Sequence, residues 1–174
     1  ALLLALISLV YFNTLSVPFN YDDEVVLKYQ IVDKAAVPFW DNNKPLFDNF
    51  YPPRYRHLFF LSLVFNYSTG VLDPFGYHLI NICLHFLTSV IVFFIAFITI
   101  AKGVSWGKQA AYSIGIITTL FFALNPVHTE TINYISARAV GMSSFFYLAA
   151  LLSFILGSFR QPSSISRGSL YLLS

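Results

Sequence analysis

Apolar residues gather in four stretches along the chain, with polar segments between them. The stretches cover residues 1–19, 77–100, 110–124 and 140–159. A helix needs about 20 apolar residues to cross the hydrocarbon core of a bilayer, and the four stretches come near that length. The pattern predicts an all-α fold, a polytopic bundle of four transmembrane helices.

Basic residues are unevenly distributed among the segments that join these predicted spans. Residues 101–109 and 160–174 contain Lys102, Lys108, Arg160 and Arg167 and no acidic residue. Residues 20–76 and 125–139 contain all eight acidic residues. Because short cytoplasmic loops are enriched in Lys and Arg, we predict that 101–109 and 160–174 are cytoplasmic. The long loop 20–76 and the short loop 125–139 then lie together on the extracytoplasmic side.

Composition agrees with an integral membrane protein. Of the 174 residues, 57% are hydrophobic and only 10% are charged, whereas soluble domains are about a quarter charged. The net charge of +2 comes without a basic cluster interleaved with aromatic residues, so no nucleic-acid partner is predicted. The single cysteine, Cys83, excludes an internal disulfide. The chain lacks an initiating Met and ends in "RGSLYLLS", so we expect it to be truncated.

The long loop contains a second apolar segment, "RHLFFLSLVFNYSTGVL", at residues 56–72. Its apolar part is too short to cross a bilayer as a helix. We therefore predict an interfacial or re-entrant helix here.

Three consecutive acids, Asp22, Asp23 and Glu24, follow the first predicted span in "FNYDDE". A carboxylate at the edge of the hydrocarbon is partly desolvated and can act as a general base towards a hydroxyl group. Adjacent helical residues point about 100° apart, so Asp22 and Asp23 cannot both face one substrate. One is free to hold a partner or a divalent cation. The alternative is a polar turn that ends the helix.

The segment "NPVHTETINYISAR" contains His128, Glu130 and Arg138. A zinc site needs at least three protein ligands, and no set of Cys and His residues completes one here, so no metal site is predicted. Glu130 and Arg138, eight residues apart, lie near one face of a helix and are candidates for an ion pair. An interfacial histidine with a backbone partner is the structural alternative for His128.

Two further groups of polar residues are candidates for a substrate site. His78, Asn81 and His85 form one stripe along the second predicted span, either as helix–helix hydrogen bonds or as the lining of a substrate groove. His78, at the rim, is the better functional candidate. Arg54 and Arg56 lie in the predicted extracytoplasmic loop, where a guanidinium group suits a lipid phosphate, a headgroup or a loop acid.

Taken together, several of these motifs resemble a known family. The segments "YRHLFFLSLVFNYSTGVLDPFGYHLINICLH" and "LFFALNPVHTETINYISARAVGMSSFFYLAALLSF" resemble the membrane domain of the transmembrane-and-tetratricopeptide-repeat (TMTC-like) proteins. These belong, with the protein O-mannosyltransferases, to the GT-C class of glycosyltransferases. The "F-x-Y-D-D", "DPFGYHLINICLH" and "P-V-H-T-E…I-S-x-R" motifs occur in family order, and the resemblance covers nearly the whole chain.

This resemblance implies a function. GT-C enzymes move a sugar, here with mannose as a candidate, from a polyprenyl-phosphate donor to a protein or glycan acceptor outside the cytoplasm. Asp22 or Asp23 would supply the base, and Arg56 and Arg138 would hold the lipid phosphate. His128 and Glu130 would line the donor or acceptor site. No tightly bound cofactor is implied, and the membrane would be a bacterial inner membrane or the endoplasmic reticulum.

Three positions depart from the family pattern, and they keep a second function open. Asn125 stands where the family commonly has His, Val140 where it has Asp, and His57 where it has Pro. The alternative is an inactive scaffold or accessory subunit that binds other membrane subunits. A transporter segment is a third candidate, supported by the two histidines of the second span.

Overall fold

The computed structural model describes residues 2–20, 22–27, 56–104 and 106–160. Arg54 and most of the segments 20–76 and 160–174 lie outside the described residues. The described part is an all-α membrane helical bundle, as the sequence predicts.

The first half of the described chain contains four α-helices. Helix α1 (Leu2–Tyr11) continues into a 3₁₀ turn (Phe12–Ser16), and a short helix α2 (Asp22–Leu27) contains all three acids of the triplet. Helix α3 (His57–Gly70) is the helix predicted within the long loop. Helix α4 (Pro74–Ile98) extends through a π-helical turn (Thr99–Val104) and is the longest element.

The second half contains three more helices, again among the described residues. Helix α5 (Lys108–Ala123) ends before Pro126 and is followed by a 3₁₀ turn (Pro126–His128) and the short helix α6 (Thr129–Asn133). Helix α7 (Arg138–Arg160) completes the fold.

The number of helices that can cross a membrane is smaller in the described structure than the predicted four. Pro74–Val104 and Arg138–Phe159 are long and apolar enough. Helix α5 and the segment after Pro126 meet at a bend of 45°, and together they make a third candidate span. The apolar helix Leu2–Ser16 is shorter than a full span. The four-span topology and its sidedness stay predictions.

Capping residues explain where helix α4 and the 3₁₀ turn Pro126–His128 begin. The Asp73 side chain accepts a hydrogen bond from the Phe75 N–H at 3.1 Å, and Pro74 occupies the first helical position, where its missing N–H costs nothing. Helix α4 therefore begins three residues before the predicted span. In the same way, Asn125 accepts from the Val127 N–H at 3.0 Å.

Helix α4 is the centre of the bundle and packs against α1, α5, α6 and α7. The approach of α4 to α5 is close at Gly115, where an added Cβ would lie 3.1 Å from the Phe93 ring. Two apolar clusters flank the polar stripe of α4. One joins α2, α3 and α4 through Leu27, Phe59, Phe60, Leu63, Tyr77 and Ile135. The other joins α1, α4, α5 and α6 through Ile7, Tyr11, Ile82, Ala123 and Ile132.

Candidate functional site

Arg138, the first residue of α7, is the most extensively hydrogen-bonded side chain among the described residues. It is 1% exposed. Its guanidinium group donates to four oxygen atoms on α3 and α4: Asn81 Oδ1 at 2.7 Å, Asn66 Oδ1 at 2.8 Å, the Tyr77 carbonyl at 2.9 Å and Ser62 Oγ at 3.1 Å. Four of its five N–H donors are thus used inside the protein. Arg138 therefore fastens α7 to α3 and α4.

The polar stripe of α4 binds main-chain carbonyl groups in neighbouring segments. His78 Nε2 lies 2.9 Å from the Val17 oxygen, and His85 Nε2 lies 3.0 Å from the Ala123 oxygen at the end of α5. The Asn81 amide donates to the Ile132 and Tyr134 oxygens at 3.0 and 3.3 Å. Carbonyls at helix ends lack a partner within their own helix. The stripe supplies those partners, which is the helix–helix alternative of the sequence analysis.

Residues 11–23 run beside residues 125–136, so the acidic motif and the histidine loop meet in space. Thr14 Oγ1 donates to Asn133 Oδ1 at 2.7 Å, and the Tyr11 hydroxyl donates to the Asn125 carbonyl at 3.4 Å. Further along, Asp23 Oδ1 accepts the Ser136 N–H at 2.7 Å. The two segments therefore make direct contact.

Asp22 and Asp23 have opposite environments. Asp22 is exposed, whereas Asp23 is 1% exposed. Asp23 Oδ2 is buried and has no hydrogen-bond partner among the described residues, and the same is true of His78 Nδ1. Asp23 lies just before the N-terminus of α7, where a negative charge is favourable. Adjacent residues of a helix point about 100° apart, and accordingly the Asp23 carboxylate faces the protein interior while the Asp22 carboxylate faces outward.

A groove of about 450 Å³ lies between α4, the 125–133 segment and α7. Its walls carry both ring systems and hydroxyl groups: His85, Phe122, His128, Thr131, Ser144 and Tyr147. Arg138 and Asn81 lie at its wall as well. The His128 ring is 4.4 Å from the Phe122 ring and 5.1 Å from the His85 ring, measured between centroids. Polar side chains therefore face open space in this groove.

A second groove, of about 560 Å³, lies between the start of α3 and the first turns of α7. Arg56 and His57 stand beside apolar side chains that include Val140, Met142 and Phe146. Arg56 is exposed. Ser143 lines both grooves, so α7 separates them.

The structure brings some of the predicted site residues together and separates others. His128 and Arg138 line the first groove and Arg56 lines the second. His78 is fully buried. Glu130 is exposed and lines neither groove. Among the described residues, no three Cys, His, Asp or Glu side chains are placed to bind a metal. The roles assigned to these residues stay predictions.

Sequence reasoning missed the contributions of Ser62, Asn66 and Phe122. Ser62 and Asn66 are polar residues one turn apart within the apolar stretch 58–66 of α3, and that spacing was a usable signal of a buried polar partner. Phe122 belongs to a dense aromatic run, and no pattern distinguishes it from its neighbour Phe121.

Comparison with characterised proteins finds relatives over most of the chain. Protein O-mannosyl-transferase TMTC3 of Homo sapiens is 30% identical over 161 residues, which are 88% of this chain and 16% of that protein. Protein O-mannosyl-transferase tmtc2 of Xenopus laevis is 32% identical over 84% of this chain and 17% of its own length. Protein O-mannosyl-transferase Tmtc1 of Drosophila melanogaster is 32% identical over 86% of this chain and 17% of its own length.

The chain thus spans about a sixth of the length of these relatives. No family model and no solved structure matches it.

Proposed function

The chain is TMTC-like, a relative of the TMTC protein O-mannosyl-transferases over most of its length, and on this premise we propose that it forms part of a membrane glycosyltransferase. The proposed reaction moves mannose from a polyprenyl-phosphate donor to an acceptor protein on the extracytoplasmic side. We assign the segment to the GT-C class, in a bacterial inner membrane or the endoplasmic reticulum. The family relationship supports the sugar and the protein acceptor. The donor, the side of the membrane and the class are our assignments.

We assign the general base to Asp22, because it is the exposed member of the acidic pair. Asp23 cannot approach a substrate while it is buried and accepts the Ser136 N–H. It is a positioning residue that fixes α2 against the start of α7. Asp22 would take the proton from the acceptor hydroxyl as that oxygen attacks the anomeric carbon and the lipid phosphate leaves.

Arg56 is the better candidate for the donor phosphate. Its side chain is exposed beside an apolar groove. The guanidinium group can bind a phosphate, and the apolar groove can hold the lipid chain attached to it. Arg138 has one N–H left after its four internal hydrogen bonds. We therefore give Arg138 a mainly structural role and allow it a single contact with a ligand in the first groove.

The division between Asp22 and Asp23 is the observation that carries this assignment, and a pair of isosteric substitutions tests it. In the full-length protein in membranes, we expect Asp22→Asn to lower mannose transfer by at least about 100-fold, the scale of a lost general base. Asp23→Asn should keep most activity, because an Asn oxygen still accepts the Ser136 N–H. Asp73→Asn is the matched control, since Asn caps a helix as well as Asp does.

The assignment fails if Asp22→Asn retains transfer, and the roles are reversed if Asp23→Asn alone abolishes it. An inactive wild type that copurifies with membrane subunits in fixed ratio would support the scaffold alternative. The internal use of Arg138 and Asp23 favours that alternative, because both residues already stabilise the fold.

A further inference from the structure

The first groove contains a pair of rings, His128 and Phe122, in direct contact with each other. His128 contacts Phe122 at 4.4 Å between centroids, and both rings are half-buried at the groove wall. His85, by contrast, uses its Nε2 on the Ala123 carbonyl. The His128 side chain forms no hydrogen bond within the described part of the chain. An imidazole placed in this way can both donate to and accept from a ligand.

The groove walls combine two surfaces with different chemistry. The Phe122 and His128 rings, tilted by 50° to each other, form one wall, and the hydroxyl groups of Thr131, Ser144 and Tyr147 line the same space. A hexose has the complementary build, with C–H bonds on a ring face and hydroxyl groups around its edge. An unbranched lipid chain would leave the histidine and the hydroxyl groups unused. The volume of about 450 Å³ lies in the usual range for small-molecule sites.

We propose that the His128–Phe122 pair is the platform on which the hexosyl group of the lipid-linked donor rests, with Thr131 and Tyr147 as hydroxyl partners. This inference rests on the proposed function and deepens it by assigning the sugar to the first groove. The donor phosphate is bonded directly to C1 of that sugar, so we place it at the edge that the two grooves share at Ser143, on the side towards Arg56.

A comparison of two lipid probes tests the platform. The full-length protein in nanodiscs is titrated with polyprenyl-phosphate mannose and with polyprenyl phosphate that carries no sugar. The wild type should bind the mannosylated lipid more tightly. His128→Ala and Phe122→Ala should each weaken binding of the mannosylated lipid about tenfold, the scale of a lost hydrogen bond or ring contact to a ligand. Binding of the sugar-free lipid should not change.

The chain offers a close control for each substitution. Phe121 is 76% exposed and is not a groove residue, so Phe121→Ala should leave both dissociation constants unchanged. Val127 is also 76% exposed and precedes His128, so Val127→Ala should behave in the same way. His128→Gln, which keeps an N–H donor but loses the ring, provides a second variant in case His128→Ala does not fold.

Each outcome separates the platform from the wider proposal. If the variants keep the preference for the mannosylated lipid, the platform is wrong and the transferase remains. If they weaken both lipids equally, the groove holds the phosphate or the chain, and the platform is again wrong. If the wild type binds neither lipid, the proposed function fails together with the platform.

Discussion

The two ends of the 128–138 segment differ in how their polar side chains are used. At Arg138, four N–H donors meet four oxygen atoms, and the side chain is buried. At His128, the side chain is half-buried and forms no hydrogen bond within the described structure. Both residues come from one short segment that the sequence presents as a single motif.

This difference distinguishes two uses of a polar residue in an apolar bundle. A polar group inside a membrane protein is costly unless it has a partner, so most such groups bind one another or a main-chain carbonyl. Groups whose polar atoms are mostly bonded inside the protein, such as Arg138 and Asn81, hold helices together. Groups that face a groove without a partner, such as His128, are available to a ligand. Stability measurements on single variants can test this division.

The largest effect on stability is expected at Arg138. Arg138→Ala removes four hydrogen bonds and leaves the oxygens of Asn66 and Asn81 without this donor. Buried groups that lose their partner cost about 1–3 kcal/mol each, so we expect a loss of at least about 3 kcal/mol in the free energy of unfolding. Thermal unfolding of the purified protein in detergent measures it.

Arg138→Lys is the informative companion variant. Lysine keeps the charge but has three donors on one nitrogen and cannot reproduce the planar fork that reaches both α3 and α4. It should restore little of the lost stability. A Lys variant as stable as wild type would show that the charge, and not the hydrogen-bond geometry, is what this position requires.

A smaller loss is expected at His78, whose Nε2 binds the Val17 carbonyl. His78→Ala removes that bond and a fully buried ring, which should cost about 2 kcal/mol. A Gln amide nitrogen can occupy nearly the position of Nε2, so His78→Gln should recover part of the loss. If both variants unfold at the wild-type temperature, the link between the 17–23 segment and α4 contributes nothing to stability.

The fold could be predicted from sequence to a large extent because hydrophobic length is a physical requirement of the bilayer. The stretches 77–100 and 140–159 appear as the cores of α4 and α7. Helix α4 begins three residues before the predicted span, because the side chain of Asp73 caps the helix and Pro74 can start it. The prediction of four spans rested on the lengths of the apolar stretches. The helical segment Leu2–Ser16 is shorter than the roughly 20 residues that a span needs.

The candidate site was harder to predict, since spacing gives the face of a helix and not the partner on it. The stripe of His78, Asn81 and His85 was recognised, but its four carbonyl partners lie 38 to 61 residues away in sequence. The angle between Asp22 and Asp23 required that one face inward, and the contact with Ser136 shows which one does. Asn66 and Phe122 became visible only when helices from different parts of the chain met.

Asp23→Ala should have an intermediate effect that separates this residue from its neighbour. The variant loses the hydrogen bond to the Ser136 N–H and the favourable charge near the start of α7. We expect a loss of about 1–2 kcal/mol, against almost none for the exposed Asp22→Ala. Equal losses for the two variants would contradict the division of the acidic pair on which the base assignment depends.

The smallest effect on stability should come from His128, and this result sharpens the comparison most. His128→Ala removes ring contacts with Phe122 and His85 but no hydrogen bond within the described residues. A half-exposed position of this kind should cost less than about 1 kcal/mol, close to Val127→Ala at its exposed neighbour. Parallel unfolding of these two variants and His78→Ala provides the measurement. If His128→Ala is as damaging as His78→Ala, the ring pair is a packing contact, and the groove loses the free polar group that points to a ligand.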